Sequence, residues 1–419
     1  MQTAEKPSFV SGLARTDTGR AAGLGVAVIA ANVVALVFTV VFARLLGATD
    51  YGSLAALMSA FIILMVPGSA LQIAVAREVS GSLAAGDGRA GAGVRRWVAR
   101  LLIGAVVLAL LVIPLRHVLA AILNVEQEWG AAAVPVTAML WMVLSVERGA
   151  LQGFQRYKLV AWSIIAEAAA RLAFALLLVG AGLDVTGAFL GTALSFVAIG
   201  LVLAAPLAPH LQEAAGHPLR DLLAGAWVPV LALTLLFALQ EVHVIVVKHE
   251  ADGDTAGAYA VAAVAAKAIV WVAVGLGMYL LPETARRSRG GEDPRPILLA
   301  TLGLIAAAAV PMVLIYASVG EPLLRAVFGE DLTEASGALP WLGLAMALLA
   351  CVYLSVQYLL AMGHRRFVAV LGVAAAAEVL VLLAIGPDLT GIALALAGLQ
   401  LACAACVLTL SFQTRAPVR

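Results

Sequence analysis

Residues 159–181 read LVAWSIIAEAAARLAFALLLVGA, an apolar run long enough to cross a membrane as one helix. Continuous apolar runs differ from the alternating pattern of a membrane β-strand. Eleven further runs of about 20 residues share this character, at 21–43, 52–76, 97–117, 131–151, 187–208, 222–247, 256–281, 297–319, 337–361, 367–386 and 389–412. The sequence therefore predicts an all-α polytopic membrane protein with twelve transmembrane helices.

The composition indicates the same class of protein. The chain of 419 residues is 63% hydrophobic and 12% charged, with a mean hydropathy of +1.03. A soluble domain carries about twice that share of charge. The formal net charge of +1 gives no indication of nucleic-acid binding.

The basic residues lie mostly on one side of the predicted membrane. Of the 26 Lys and Arg residues, 20 are assigned to connections on the side of the N-terminus, four to the opposite side and two to positions within spans. Because cytoplasmic connections are enriched in Lys and Arg, both termini are predicted to face the cytoplasm. The connections are short, so the sequence predicts no soluble domain.

The two halves of the chain resemble each other. GFQRY at 153–157 has the frame of GHRRF at 363–367, and GLDVTG at 182–187 matches GPDLTG at 386–391. Such repeats are typical of transporters whose parallel halves are related by an axis along the membrane normal. The predicted organisation is a cytoplasmic tail at 1–20, an N-terminal six-helix lobe at 21–209, a cytoplasmic linker at 210–221 and a C-terminal six-helix lobe at 222–419.

Four stretches carry a resemblance to a known family. They are ANVVALVFTVVFARLLGATDYG at 31–52, VPGSALQIAVARE at 66–78, LQGFQRYK at 151–158 and VVKHEADGDTAGAYAVAAVAAKAIVWV at 246–272. Their order and spacing resemble bacterial polysaccharide-transport proteins, the oligosaccharide flippases of the multidrug/oligosaccharidyl-lipid/polysaccharide exporter superfamily.

This resemblance implies two six-helix lobes around a central cavity in the cytoplasmic membrane. It also implies movement of a polyprenyl-diphosphate-linked oligosaccharide to the outer leaflet, for cell-surface polysaccharide biosynthesis. The implied partners are that substrate, membrane lipids, a coupling ion (H+ or Na+), and glycosyltransferases or a polymerase of the same pathway. The chain departs from the family in its seventh span, where Glu241-Val242-His243 replaces a common Asn-x-Asp.

Charged residues inside the spans are the main candidates for a functional site, because each costs about 2.5–3.5 kcal/mol at the centre of a membrane helix. Lys267 has no acidic residue within its own span, so it needs a partner from another helix or a water-filled cavity. The resemblance also supports a lysine at this position, where an ammonium would neutralise a diphosphate. Further candidates for contact with substrate are Arg171, Asn32, Gln72 and Gln240. For Asn32 and Gln72, interhelical hydrogen bonding is the alternative.

Glu167 and Arg171 are four residues apart on one helix, so their side chains are predicted to pair. Two roles remain open for this pair. It is either a self-neutralising structural pair, or it faces the cavity and releases Arg171 to bind phosphate.

Glu241, His243 and Glu378 are candidates for ion coupling, together with Glu167. Glu241 and His243 are two residues apart and should point in different directions. Each of these groups either has an interhelical partner or binds a proton or cation during transport.

Two other functions compete with the flippase. One is a cation-coupled drug or small-molecule antiporter of the same superfamily, which should line its cavity with acids. The other is a polytopic membrane glycosyltransferase or ligase, for which Asp252-Gly253-Asp254 is the one metal-like motif. The sequence contains no nucleophile–base constellation and no His-rich cluster, so it predicts no catalytic residue, metal or cofactor.

Overall fold

The computed structural model describes residues 17–86, 91–210 and 227–413, with side chains from residue 24 onward. Most of the predicted tail at 1–20 and of the linker at 210–221 lies outside these ranges. Within them, every regular element is helical, as the apolar runs predict. Thirteen α-helices are labelled here in chain order: α1 Asp17–Leu64, α2 Val66–Ala85, α3 Val94–Leu123, α4 Glu128–Gly153, α5 Tyr157–Leu178, α6 Asp184–Leu207, α7 Trp227–Glu250, α8 Gly253–Ala266, α9 Ala268–Arg289, α10 Arg295–Phe328, α11 Leu339–Ala361, α12 Phe367–Ile385 and α13 Leu389–Gln413.

Ten apolar helical stretches of the described chain are long enough to cross a membrane. Two of them, Leu24–Ala85 and Tyr157–His210, contain 62 and 54 residues, enough for two passes each at about 1.5 Å per residue. Each is interrupted by a glycine with a left-handed φ, Gly47 at 78° and Gly182 at 85°. The described helices therefore account for the twelve predicted passes.

Two predicted spans in the described chain consist of two helical pieces each. The second pass is divided at Met65, between α1 and α2, and the eighth is divided at Lys267, between α8 and α9. Neither break is visible as a loop in the hydropathy pattern, because the residues around each break are apolar. In transporters, discontinuous spans commonly mark the binding site.

The repeated motifs occupy corresponding places in the two halves. GFQRY and GHRRF each lie at the connection between two helices, and the aromatic residue of each motif begins the second helix, Tyr157 in α5 and Phe367 in α12. GLDVTG and GPDLTG each connect that next helix to its successor. Their first glycines, Gly182 and Gly386, have φ values of 85° and 74°, which glycine adopts without strain.

The chain forms two compact units that are interleaved along the sequence. The first comprises residues 1–39, 68–111 and 135–225, and the second comprises 40–67, 112–134 and 226–419. In the first unit, α2 and α4 approach closely at small residues. A Cβ on Gly149 would lie 2.5 Å from the Gln72 carbonyl oxygen, and one on Gly153 would lie 2.5 Å from the Val79 Cβ. The predicted division into lobes at 21–209 and 222–419 stays a prediction.

In the second unit, the part of α1 that follows Gly47 crosses α8. A Cβ on Gly52 would lie 3.1 Å from the Gly257 nitrogen, and a Cβ on Gly257 would overlap the Ala48 carbonyl oxygen. Only glycine permits so close a contact between helix backbones. Arg44 reinforces this region by donating to the Ala326 carbonyl oxygen at 2.7 Å. Segments from both halves of the sequence are thus packed together within this unit.

Candidate functional site

Lys267 is buried in the break between α8 and α9. It is the single residue between helices ending at Ala266 and beginning at Ala268, and only 7% of its surface is exposed. Its Nζ donates to Oε2 of Glu241 in α7, at 2.7 Å. Of the two alternatives that the sequence leaves open for Lys267, a partner from another helix or a water-filled cavity, the structure shows the first. The predicted contact of Lys267 with substrate stays a prediction.

Glu241 is surrounded by donors. It is 1% exposed, and its Oε2 also accepts from the Ser59 hydroxyl at 2.8 Å. The Gln240 amide donates to its other oxygen at 2.9 Å. Because a buried carboxylate is stable only when it is paired and hydrogen-bonded, these donors explain how Glu241 is held inside a span. Ser59 belongs to the part of α1 after Gly47, so the cluster joins helices from both halves of the sequence.

His243 and Tyr259 form a separate buried contact. His243 Nδ1 lies 2.9 Å from the Tyr259 hydroxyl, and the two rings meet edge to face at 5.6 Å. The other ring nitrogen of His243 is buried with no hydrogen-bond partner among the described residues. Glu241 and His243 thus have different partners, as their spacing predicts.

Glu378 is fully buried on α12 and is held by one amide. Gln400 of α13 donates to its Oε2 at 3.3 Å. The second oxygen of Glu378 and the amide oxygen of Gln400 have no hydrogen-bond partner within the described ranges. No hydrogen bond or ion pair there joins Glu378 to Lys267 or Glu241.

The predicted pairing of Glu167 with Arg171 is wrong. Glu167 on α5 is paired with Arg148 of α4 instead, at 3.9 Å. Arg171 lies over the Phe38 ring at 5.6 Å, and its Nε has no hydrogen-bond partner among the described residues. An acid and a base one helical turn apart can pair, but here the base that pairs with Glu167 is the buried Arg148 of a neighbouring helix.

Arg148 is a buried charged residue of the first unit that sequence reasoning missed. Arg148 is one of the 20 basic residues that the sequence places in connections on the side of the N-terminus, yet it is buried within α4. Its guanidinium donates to the Ser163 hydroxyl at 3.0 Å and to the Ser163 carbonyl oxygen at 2.9 Å. The neighbouring Glu147 adds a second buried acid, whose Oε2 has no partner in the described chain. The dipeptide Glu147-Arg148 inside an apolar run was the signal that could have identified this cluster.

Asn32 and Gln72 belong to the first compact unit and are partly buried. Neither side chain makes a hydrogen bond to another described residue. Within the described ranges, no hydrogen bond joins either of them to Arg171. Their predicted role in substrate binding therefore stays a prediction.

The Asp252-Gly253-Asp254 motif has a structural explanation. Asp252 is the N-cap of α8, where its carboxylate accepts from the Thr255 backbone nitrogen at 2.9 Å. This hydrogen bond holds the pKa of Asp252 below its ordinary value. Asp254 accepts from the Thr49 hydroxyl at 2.5 Å. Among the described residues, no group of three or more His, Cys, Asp or Glu side chains is placed to hold a metal ion.

The chain is similar to a known protein family and to several solved structures. A model of the family described as "Polysaccharide biosynthesis protein" matches residues 21–286. A search of curated protein sequences finds no match. Among solved structures, the chain is similar to the inward-facing conformation of a multidrug resistance MATE family transporter of the MOP superfamily. The TM-score is 0.79 at 12% identity, covering 91% of this chain and 94% of that one.

Two further structures show the same fold at lower TM-scores. The outward-facing conformation of a multidrug resistance MATE family transporter of the MOP superfamily gives 0.65 at 15% identity, covering 98% of both chains. A point mutant of a Vibrio cholerae MATE transporter gives 0.64 at 16% identity, covering 96% of this chain and 97% of the other. The described helices thus have the fold of these transporters.

Proposed function

Because the chain belongs to the polysaccharide biosynthesis protein family and has the fold of MOP superfamily transporters, we propose that it moves a polyprenyl-diphosphate-linked oligosaccharide across the cytoplasmic membrane. Both termini would lie on the cytoplasmic side, as the distribution of basic residues predicts. The glycan would be built by glycosyltransferases on that side and used outside for cell-surface polysaccharide. Such transport makes and breaks no covalent bond.

The observation that carries this proposal is the buried ion pair of Lys267 and Glu241 at the break in the eighth span. A diphosphate crossing an apolar interior needs a cation, and the ammonium of Lys267 is one held at a discontinuous helix. In the present conformation, that ammonium is paired with the Glu241 carboxylate. Substrate phosphate would therefore replace Glu241 as the partner of Lys267, while Ser59 and Gln240 continue to donate to the released carboxylate.

The packing within the second compact unit supports alternating access as the mechanism. Residues 40–67 and 112–134 belong to the same unit as 226–419. The positive-inside pattern predicts that these segments lie toward the outer side. The contacts of Gly52 with Gly257 and of Ser59 with Glu241 would then close the outer end. Separation of these contacts would be the step that opens a path to the outside.

Ion coupling would be carried by Glu378 or by the cluster around Glu241 and His243. Glu378 has a single amide partner, so it can bind a proton without breaking an ion pair. Glu241, in contrast, is already held in an ion pair with Lys267, which a coupling ion would have to displace. Proton binding at Glu378 would therefore leave the ion pair of Lys267 intact, whereas ion coupling at Glu241 would require that pair to separate.

The proposal is tested with purified protein in liposomes that contain a fluorophore-labelled, polyprenyl-diphosphate-linked disaccharide. Dithionite added outside bleaches only the outer leaflet, so the slow bleaching phase reports translocation. We expect Lys267→Gln, compared at an equal amount of folded protein, to reduce the translocation rate at least tenfold, because the neutral amide cannot neutralise the diphosphate. Lys267→Arg should retain part of the rate, since it keeps the charge.

Lys158→Gln is the matched control, because Lys158 is exposed near the start of α5. Its rate should equal that of the unmodified protein. A Lys267→Gln variant that translocates the labelled lipid at the unmodified rate would refute the proposed role of Lys267.

A drug antiporter is the second candidate, favoured by the buried acids Glu241 and Glu378 and by the likeness to multidrug transporters. Liposomes of the same protein, loaded with ethidium and given a proton or sodium gradient, discriminate between the two functions. Gradient-driven movement of ethidium, with no translocation of the labelled lipid, would replace the flippase proposal.

A further inference from the structure

A polar pocket of about 370 Å³ lies within the second compact unit, away from the buried cluster at Lys267. Its walls come from the part of α1 just after Gly47, from the connection between α3 and α4, and from the end of α7. The polar side chains that line it include Asp50, Ser53, Asn124, Glu126, Gln127 and Lys248. Its volume is in the range of small-molecule sites, about 300–1,000 Å³. The distribution of basic residues predicts that this end of the molecule faces outward.

Lys248 is the most informative residue of the pocket. Only 8% of its surface is exposed, yet its ammonium makes no hydrogen bond or close ion pair with any described residue. The carboxylates of Asp50 and Glu126 act on it electrostatically. An ammonium that lines a pocket without a hydrogen-bond partner from the described residues needs water or a ligand to complete its environment.

The connection between α3 and α4 carries a second polar group without a partner among the described residues. The amide oxygen of Gln127 is shielded from solvent and has no hydrogen-bond partner in the described chain. Next to it, Asn124 donates from its Nδ2 to the Lys248 carbonyl oxygen at 2.7 Å. Asn124 has a φ of 50°, a conformation that asparagine tolerates better than most residues. The connection is therefore fixed against the end of α7, and the pocket is preformed.

The mixture of charges limits what the pocket can bind. The Lys248 ammonium would repel a simple cation, and the carboxylates of Asp50 and Glu126 would repel a simple anion. A polyhydroxylated ring avoids both conflicts, because its hydroxyls accept from the ammonium and amide donors and donate to the carboxylates. We propose that this pocket binds one sugar unit of the transported glycan at the outer end of the path. The inference rests on the proposed function, since it takes the glycan as the ligand.

The first test measures sugar binding without lipid and without transport. Saturation-transfer NMR would be recorded on the full-length protein in detergent with free glucose, N-acetylglucosamine and glucuronic acid. Choline, phosphate and glycine betaine serve as the cation, anion and zwitterion probes. We expect transfer to at least one sugar, reduced at least fivefold by Lys248→Met and by Glu126→Gln. Glu126 is exposed, so its substitution does not threaten folding.

Glu250→Gln is the matched control, because Glu250 ends the same helix as Lys248 but does not line the pocket. It should leave the sugar signal unchanged. The inference is overturned by absence of transfer to all three sugars, or by a sugar signal that neither pocket variant lowers. It is equally overturned if Lys248→Met abolishes binding of phosphate, choline or betaine while no sugar binds.

The second test identifies the source of the sugar. If the pocket binds the transported glycan, Glu126→Gln should also slow translocation of the labelled lipid in liposomes. Sugar binding combined with an unchanged translocation rate would overturn the assignment to the transported glycan. The two proposals can fail separately. If the protein binds sugar through Lys248 but moves no lipid-linked glycan, the proposed flippase function is refuted. If it moves the lipid-linked glycan without binding sugar, the proposed sugar site is refuted.

Discussion

Removing the charge of Glu241 while leaving Lys267 in place should strongly destabilise the protein. The two charged atoms are 2.7 Å apart. At an effective dielectric constant of about 20, that separation gives an attraction of about 6 kcal/mol. Desolvation of both groups offsets most of this, so the intact pair contributes little net stability. The Glu241→Gln variant, however, leaves an uncompensated buried ammonium, which costs about 3–5 kcal/mol.

Replacing both partners should recover most of that loss. In the double variant Glu241→Gln/Lys267→Met no charge remains, and the side-chain volumes are nearly preserved. Unfolding in mixed micelles with increasing dodecyl sulfate, followed by circular dichroism, gives the free energy of unfolding for each member of the double-mutant cycle. The recovery distinguishes loss of a buried charge from loss of packing, because the double variant disturbs packing at least as much as the single one.

An exposed pair on α10 supplies the control. Glu321 and Arg325 are ion-paired one turn apart, but their side chains are 53% and 52% exposed. Glu321→Gln should therefore cost less than about 1 kcal/mol. The reasoning is refuted if Glu241→Gln is as mild as this control, since water would then be shown to reach Lys267 in the folded protein.

Three other predictions follow from the packing and the topology. Arg148→Gln should lower the free energy of unfolding by about 3–5 kcal/mol, because it leaves Glu167 buried without its cation. Arg171→Gln should lower it far less in the same titration. Equal losses would contradict the pairing of Glu167 with Arg148. Gly257→Ala should cost about 1–3 kcal/mol by forcing α8 away from Ala48, and Gly275→Ala, which has open space around it, is its control; a harmless Gly257→Ala would contradict the close crossing. Single cysteines introduced as Asp331→Cys and Glu292→Cys into a cysteine-free variant should react with a membrane-impermeant reagent from the outside and the inside respectively, and labelling of both from one side would contradict the predicted orientation.

The number and approximate positions of the spans could be predicted because burial in lipid demands long apolar runs. The need of Lys267 for a partner was also predictable, since an isolated ammonium is too costly within a span. The identity of that partner was not, because hydropathy carries no information about which helices touch. Ser59 shows most clearly what the sequence does not reveal. A serine in a helix rich in small residues is common, and only the packing of the folded chain makes this one a hydrogen-bond donor to Glu241.

The error at Glu167 has a related cause. Helical periodicity identifies neighbours along one helix, so it predicted Arg171 as the partner of Glu167. It carries no information about Arg148, which lies on the preceding helix. The two-residue spacing of Glu241 and His243 correctly predicted different directions, because that inference requires only the geometry of a single helix. Predictions confined to one helix thus held where no neighbouring helix supplied a better partner.

The break at Lys267 has a consequence for how the chain enters the membrane during synthesis. The helix before the break, α8, has 14 residues and is too short to span a bilayer alone. Lys267 itself would resist partition into lipid by about 2.5–3.5 kcal/mol. Glu241 lies in the preceding span, so the two charges can neutralise each other when both spans are in the membrane. We therefore expect the seventh and eighth spans to insert together, as a helical hairpin that carries its own ion pair.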